Sequence, residues 1–210
     1  MGLGGSSALA VAVIRALDAH YAISLSNDEI NALAFECEKT AHGTPSGVDN
    51  TIATYGTALR YQNRGEPDFQ PIVPSRPIPI VVGMSGTESL TAITVARVRA
   101  ALERQPARYE AIFDDIESLT NAGVDAVRDG ALEDLGELMN LCQGYLNALQ
   151  VSTSELEEMI HIARANGALG AKLTGGGGGG SIIALCPENT ALVSSAIQAA
   201  GFETFSFEIN

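Results

Sequence analysis

The sequence predicts an α+β protein in two parts, on three observations. Short strand-like runs occur in antiparallel-looking pairs among long helical periods, which is not the regular alternation of a doubly wound sheet. A cluster of prolines from Pro67 to Pro79 marks a border between residues 1–76 and residues 77–210. The chain of 210 residues, 46% of them hydrophobic, is long enough to bury a core in each part.

Each element has a local reason. Residues 6–21 read as a helix, with Ala8, Val11, Ala12 and Ala16 predicted as a close-packing face. Ser26 and Glu29 form a Ser-x-x-Glu capping box for a second helix, with Ile30, Leu33, Ala34 and Cys37 expected inward. Gly43, Pro45 and Gly47 end that helix in a loop, and "VDNTIATYG" predicts one or two further helical turns. "TALRYQ", "FQPIV" and "IPIVVGM" read as strands separated by polar or proline-rich turns.

Beyond the border, apolar periodicity predicts helices over residues 91–104, 109–128 and 132–150. Ser154 is expected to cap the next, whose Leu156, Met159, Ile160 and Ala163 share a face and which Gly167 closes. A strand "GAKLT", a glycine run, a strand "SIIALC", a helix over 187–200 and the alternating strand "FETFSFEI" complete the order.

The formal net charge is −13, from 12 basic and 25 acidic residues, which argues against nucleic acid or an anionic membrane as partner. An anionic ligand must then be met by backbone N–H groups, a metal ion or a few placed cations. No apolar run approaches the ~20 residues of a membrane span. Arg15, Asp18 and His20 make the first helix too polar for a signal peptide. Cys37, Cys142 and Cys186 lie too far apart for a Cys-x-x-Cys clip and are expected as buried thiols in a reducing cytoplasm. His20, His42 and His161 show no helix-face pairing for zinc.

Three segments carry candidate chemistry. In "GLGGSSA", Gly2, Gly4 and Gly5 let successive N–H groups converge at a helix N-terminus, a favourable place for an anion. Ser6 and Ser7 add hydroxyls able to cap the helix or reach a metal. A plain glycine-rich cap, and a Met-Gly-x-x-x-Ser acylation pattern, are the alternatives. In "ECEKTAHGTPSGVDN", a tight loop can fold Asp49 back towards the helix end bearing Glu36 and Glu38. One carboxylate there suits Mg²⁺ and another suits the proton of a substrate hydroxyl; the alternative is a solvated helix face and a cap. Glu36 belongs to the solvated face. In "KLTGGGGGGS", glycines bracketed by strands predict close approach of a backbone or ligand, against a flexible surface turn.

Together, in this order, "GLGGSSA", "HGTPSGVDN" and "KLTGGGGGGS" resemble the GHMP kinase superfamily, in particular its mevalonate-phosphorylating branch, over nearly the whole chain. "HGTPSGVDN" is the most discriminating of them, and Gly176 stands where the family usually has alanine. The resemblance implies a two-lobed GHMP kinase fold: an incomplete N-terminal lobe like ribosomal protein S5 domain 2, then a ferredoxin-like α/β lobe. It implies that ATP phosphates lie on Gly2, Leu3, Gly4, Gly5, Ser6 and Ser7, with Mg²⁺ on Ser7 and Glu38. Asp49 is implied as the catalytic aspartate facing the 5-hydroxyl of (R)-mevalonate, and Thr91 as a substrate contact. Gly175, Gly176, Gly177, Gly178 and Gly179 are implied to shape the phosphate loop from behind. Substrate contacts near Ala10 and Ala41 differ from those of some relatives. A cytoplasmic homodimer acting in isoprenoid precursor synthesis is also implied.

The resemblance further implies an N-terminal segment, not among these residues, that begins the first lobe's sheet and supplies a lysine near the aspartate. The expectation is of an N-terminally truncated chain. It leaves three readings open: a mevalonate-phosphorylating kinase, a GHMP kinase for another small alcohol or sugar, and a catalytically incompetent fragment.

Overall fold

The computed structural model describes residues 3–42, 45–63, 65, 67–87 and 91–210, apart from the side chains of residues 41 and 42. These divide into two compact units, Leu3–Val73 and Pro74–Asn210.

The first unit holds α1 (Gly5–Tyr21), α2 (Asn27–His42), α3 (Val48–Tyr55) and an antiparallel hairpin of β1 (Leu59–Asn63) and β2 (Pro67–Pro71). The capping box forms as predicted. Ser26 N–H and Oγ each donate to Glu29 Oε2 at 2.8 Å, and Glu29 N–H donates to Ser26 Oγ at 3.3 Å. Arg15 ties the three helices together, its Nη2 donating to Asn27 Oδ1 (3.0 Å) and to the Thr54 carbonyl (2.9 Å). Val11, Ile30 and Ala34 form the buried core, with Ala10, Ile14, Leu25 and Ala53 packed on it.

Two helices bury faces other than those predicted. The inward line of α1 is Ser7, Val11 and half-buried Ile14, while Ala8, Ala12 and Ala16 are exposed. Side-chain size does not decide the face, since Leu9, Val13 and Leu17 of the same helix are exposed too; the buried line is the one that packs on Ile30 and Ala34 of α2. On α2 the line Ile30–Ala34 is buried, but Leu33 and Cys37 lie on the next line round the helix and are exposed.

The second unit runs β3 (Ile78–Met84), α4 (Thr91–Arg104), α5 (Pro106–Asp129), α6 (Leu132–Ala148), α7 (Ser154–Ala165), β4 (Gly170–Thr174), β5 (Ser181–Leu185), α8 (Thr190–Ala199) and β6 (Glu203–Ile209). Its four-stranded sheet has the order β4-β5-β3-β6, with every adjacent pair antiparallel. β5 therefore separates β3 from β4, the split arrangement of ferredoxin-like folds, with four helices in the first crossover.

Val81, Ile182, Ala184 and Leu173 face α7 and α8 through Leu156, Met159, Ile160, Val193 and Ile197. Ile78, Ile80, Val82 and Leu185 face Leu132 and Met139 of α6. Cover on both faces explains why "IPIVVGM" and "SIIALC" read as unbroken apolar runs.

The cap of α7 is Thr153 rather than Ser154. Its backbone is extended (φ −113°, ψ 167°), which frees its Oγ1 to accept the Leu156 N–H. Of the cysteines, expected to be buried, only Cys186 is; Cys142 is half-buried and Cys37 exposed. Burial pushes the Cys186 thiol up to about 11. Among the described residues no helix is long and apolar enough to cross a membrane.

Candidate active site

The first unit gathers one cluster from three helices. Gly4 caps α1 in the left-handed region (φ 66°), and a Cβ there would stand 3.4 Å from Cβ, Cγ and Oδ1 of Asp49. Asp49 thus lies against the start of α1, whose first N–H groups have no intrahelical acceptor. Ser6 Oγ donates to Glu38 Oε1 at 2.8 Å, and Glu38 is only 5% exposed. Ser7 is fully buried, and its Oγ has no hydrogen-bond partner among the described residues. Leu3 and Gly5 are exposed beside them. Gly2 and Gly43 lie outside the described residues, as does the side chain of Ala41. Glu36 is exposed and paired with Lys39 at 2.7 Å, as expected for a solvated face.

Asp49 is held in place by the elements around it. It sits in the first turn of α3, where the helix dipole favours a carboxylate. Thr51 Oγ1 donates to the Gly47 carbonyl (2.7 Å), and Asn50 Nδ2 donates to Asn31 Oδ1 (2.6 Å) on α2. The hairpin secures the loop before it, because Tyr61 Oη (2.6 Å) and Asn63 Nδ2 (3.1 Å) both donate to the Ser46 carbonyl. Burial raises the Tyr61 pKa, so the phenol remains a donor at neutral pH. No motif in the sequence marks Tyr61 or Asn63. Their only signal is that the strand carrying them follows the loop.

In the second unit the glycine run is the β4–β5 turn, with left-handed φ at Gly175 and from Gly177 through Gly180. The close approach predicted for it is to the unit's own loops. Gly178 N–H donates to the Val151 carbonyl (2.8 Å), Gly180 N–H to the Thr87 carbonyl (3.2 Å), and Ser85 N–H to the Gly180 carbonyl (2.9 Å). A Cβ on Gly176 would lie 2.5 Å from Thr91 Cγ2, so this turn and Thr91 are neighbours. A cavity of about 650 Å³ opens beside them, lined by Thr94, Arg97, Gln150, Ser152 and Gly178 among others.

Chemically, the first cluster offers N–H groups at a helix start, a hydroxyl–carboxylate pair and a second, exposed carboxylate. That set suits a polyanion with a hydroxyl partner. Family comparison agrees with it. Residues 1–57 match the family described as GHMP kinases N terminal domain, and residues 124–202 match GHMP kinases C terminal. The chain belongs to the GHMP kinase family, and the fold expected from its motifs is the fold observed.

Within the family it is similar to mevalonate kinases. It is 40% identical over 205 residues to the mevalonate kinase of Pyrococcus horikoshii, covering 95% of this chain and 60% of that protein. The crystal structure of L. major mevalonate kinase in complex with R-mevalonate matches with a TM-score of 0.90 at 33% identity, covering 97% of this chain and 65% of that one. The Methanococcus jannaschii mevalonate kinase structure matches with a TM-score of 0.82 at 26% identity, covering 97% and 62%. The chain spans about 60% of the length of the curated relatives it matches.

Proposed function

We propose that the protein is a mevalonate kinase, transferring the γ-phosphate of ATP to the 5-hydroxyl of (R)-mevalonate to give 5-phosphomevalonate for isoprenoid precursor synthesis. The observation that carries this is the apposition of Asp49 to Gly4 beside the Ser6–Glu38 pair, in a chain similar to proteins that bear that name.

Each residue has a part. The N–H groups of residues 2–7 cradle the nucleotide phosphates, which lets so acidic a chain hold a polyanion. The donors present fit Mg²⁺: Glu38 supplies a carboxylate, Ser6 a hydroxyl in contact with it, and Ser7 a buried hydroxyl without a partner among the described residues. Hard oxygen donors of this kind suit Mg²⁺, which when bound neutralises phosphate charge. Asp49 orients the substrate hydroxyl or accepts its proton as the oxygen attacks phosphorus. Thr91 contacts the substrate, and Gly175–Gly179 shape the second phosphate-facing turn. Residues 1–76 form the ATP-binding lobe and 77–210 the C-terminal lobe. The positions of the two family matches and of the compact units support that division.

A homodimer in the cytoplasm is the proposed state. Three free cysteines support the reducing compartment, and sedimentation velocity checks the assembly. The substrate is tested by coupled ADP release with (R)-mevalonate, galactose and homoserine offered separately. Release with mevalonate alone is expected. Release with galactose or homoserine instead would overturn the substrate assignment.

A further inference from the structure

We infer that a buried polar network centred on Gln143 sets the shape of the glycine turn, which makes Gln143 a positioning residue for the nucleotide. The geometry stands by itself; only its consequence for ATP rests on the kinase reading above.

Gln143 is polar yet 1% exposed, on the face of α6 that meets β4. β4 is the outer strand of its sheet, so its outward backbone groups need partners from elsewhere. α6 supplies them from successive turns. Asn140 Nδ2 donates to the Leu169 carbonyl (3.0 Å) and Asn140 Oδ1 accepts the Ala171 N–H (3.1 Å), while Gln143 Oε1 accepts the Leu173 N–H (2.9 Å). Leu173 is two residues from Gly175, so this row of amides fixes the strand that feeds the turn.

The other end of the same amide holds the segment on which the turn rests. Gln143 Nε2 donates to Glu157 Oε1 (2.7 Å) on α7. Glu157 also accepts Ser152 Oγ (2.5 Å) and Asn147 Nδ2 (3.2 Å), which secures the segment between α6 and α7. In that segment Arg97 donates to the Gln150 carbonyl, and the Val151 carbonyl accepts the Gly178 N–H at 2.8 Å. Gln150 itself is left-handed (φ 58°), an uncommon conformation for a non-glycine residue, and persists where its surroundings over-determine it. The space of a Cβ on Gly177 is filled by the Val151 carbonyl.

Gln143 bonds directly both to the strand that feeds the turn and to the carboxylate that holds the segment beside it. Six consecutive glycines have many conformations to lose on ordering, and a turn already held avoids that loss when phosphate arrives.

The test uses the full chain with three variants. Gln143→Glu sets a second carboxylate against Glu157 and removes the shared donor. The exchange Gln143→Glu with Glu157→Gln returns one donor and one acceptor to the pair. Ser152→Ala removes a single half-buried hydroxyl and keeps the test open if Gln143→Glu does not fold. Two quantities are read: hydrogen exchange at the Gly178 amide by NMR, and MgATP affinity by calorimetry.

Gln143→Glu and Ser152→Ala are each expected to speed Gly178 exchange by about tenfold or more, and to weaken MgATP binding, while Ile182 and Ala184 amides keep their rates. The reciprocal exchange restores both readings. Wild-type Gly178 exchange in Ser152→Ala or in folded Gln143→Glu would overturn the inference, as would failure of the folded double variant to restore it. If the unmodified chain binds no MgATP, the kinase reading falls, and the exchange rates alone decide the network.

Discussion

Glu38 and Asp49 meet different surroundings, and the difference matches the separate roles proposed for them. Glu38 is buried and takes a serine hydroxyl, as a metal ligand with a fixed geometry would. Asp49 is exposed at the start of α3, where a substrate can reach it. Glu38→Gln keeps the acceptor for Ser6 but loses the charge, and it is expected to raise the MgATP dissociation constant about tenfold by calorimetry, with an unchanged melting temperature. Cys37 is expected to react with a thiol reagent at pH 8 and Cys186 only on unfolding, because the Cys186 thiol is buried and ionises near 11; peptide mapping after brief labelling checks this. Burial, then its hydrogen bond to Asp28, pushes the Tyr55 phenol up to about 12. A raised folded pKa means that the contribution is whole below pH ~10, the unfolded value, and is lost as pH rises through the folded one. Tyr55→Phe is therefore expected to flatten the fall in stability over that alkaline window, read by urea unfolding at stepped pH. At this scale a tight loop before Asp49 was legible from its glycine and proline, but the apposition of Asp49 to Gly4 at the start of α1 was not. Which serine meets Glu38 was not, since one residue turns a helix position by about 100°.

Elements show where local pattern suffices and where packing decides. The capping box of α2, the inward line of α7 and the strand "GAKLT" follow from spacing alone. The face of α1 does not, because apolar side chains lie all round the helix and packing against Ile30 and Ala34 selects the line of Val11 and Ile14. The Gln143 network was invisible for a different reason: its members come from α6, α7 and β4, and no spacing joins them. The glycine turn offers a direct contrast within one unit. Gly177 and Gly201 are both left-handed, but only Gly177 has a neighbouring carbonyl where a Cβ would go. Gly201→Ala is expected to cost about 1 kcal/mol of backbone strain, and Gly177→Ala about 3 kcal/mol, with collision added. Equal costs in denaturant unfolding would contradict the close approach.

Across the whole molecule, the chain carries two separate cores and a large negative charge. The second unit has apolar cover on both faces of its sheet, whereas the core cluster described in the first is the small group of Val11, Ile30 and Ala34. Pro74–Asn210 is accordingly expected to fold alone and melt cooperatively, as followed by circular dichroism. The family was legible at this scale through three motifs in order, each weak by itself except the loop before Asp49. In the proposed function the turn opening α1 holds the nucleotide while Asp49, against it, acts in transfer. Asp49→Ala tests it most directly, with MgATP affinity and mevalonate-dependent ADP release measured on the same folded protein. Affinity is expected to stay within about threefold of the unmodified chain, and turnover to fall by about a thousandfold. Near-normal turnover with an unchanged melting curve would contradict it.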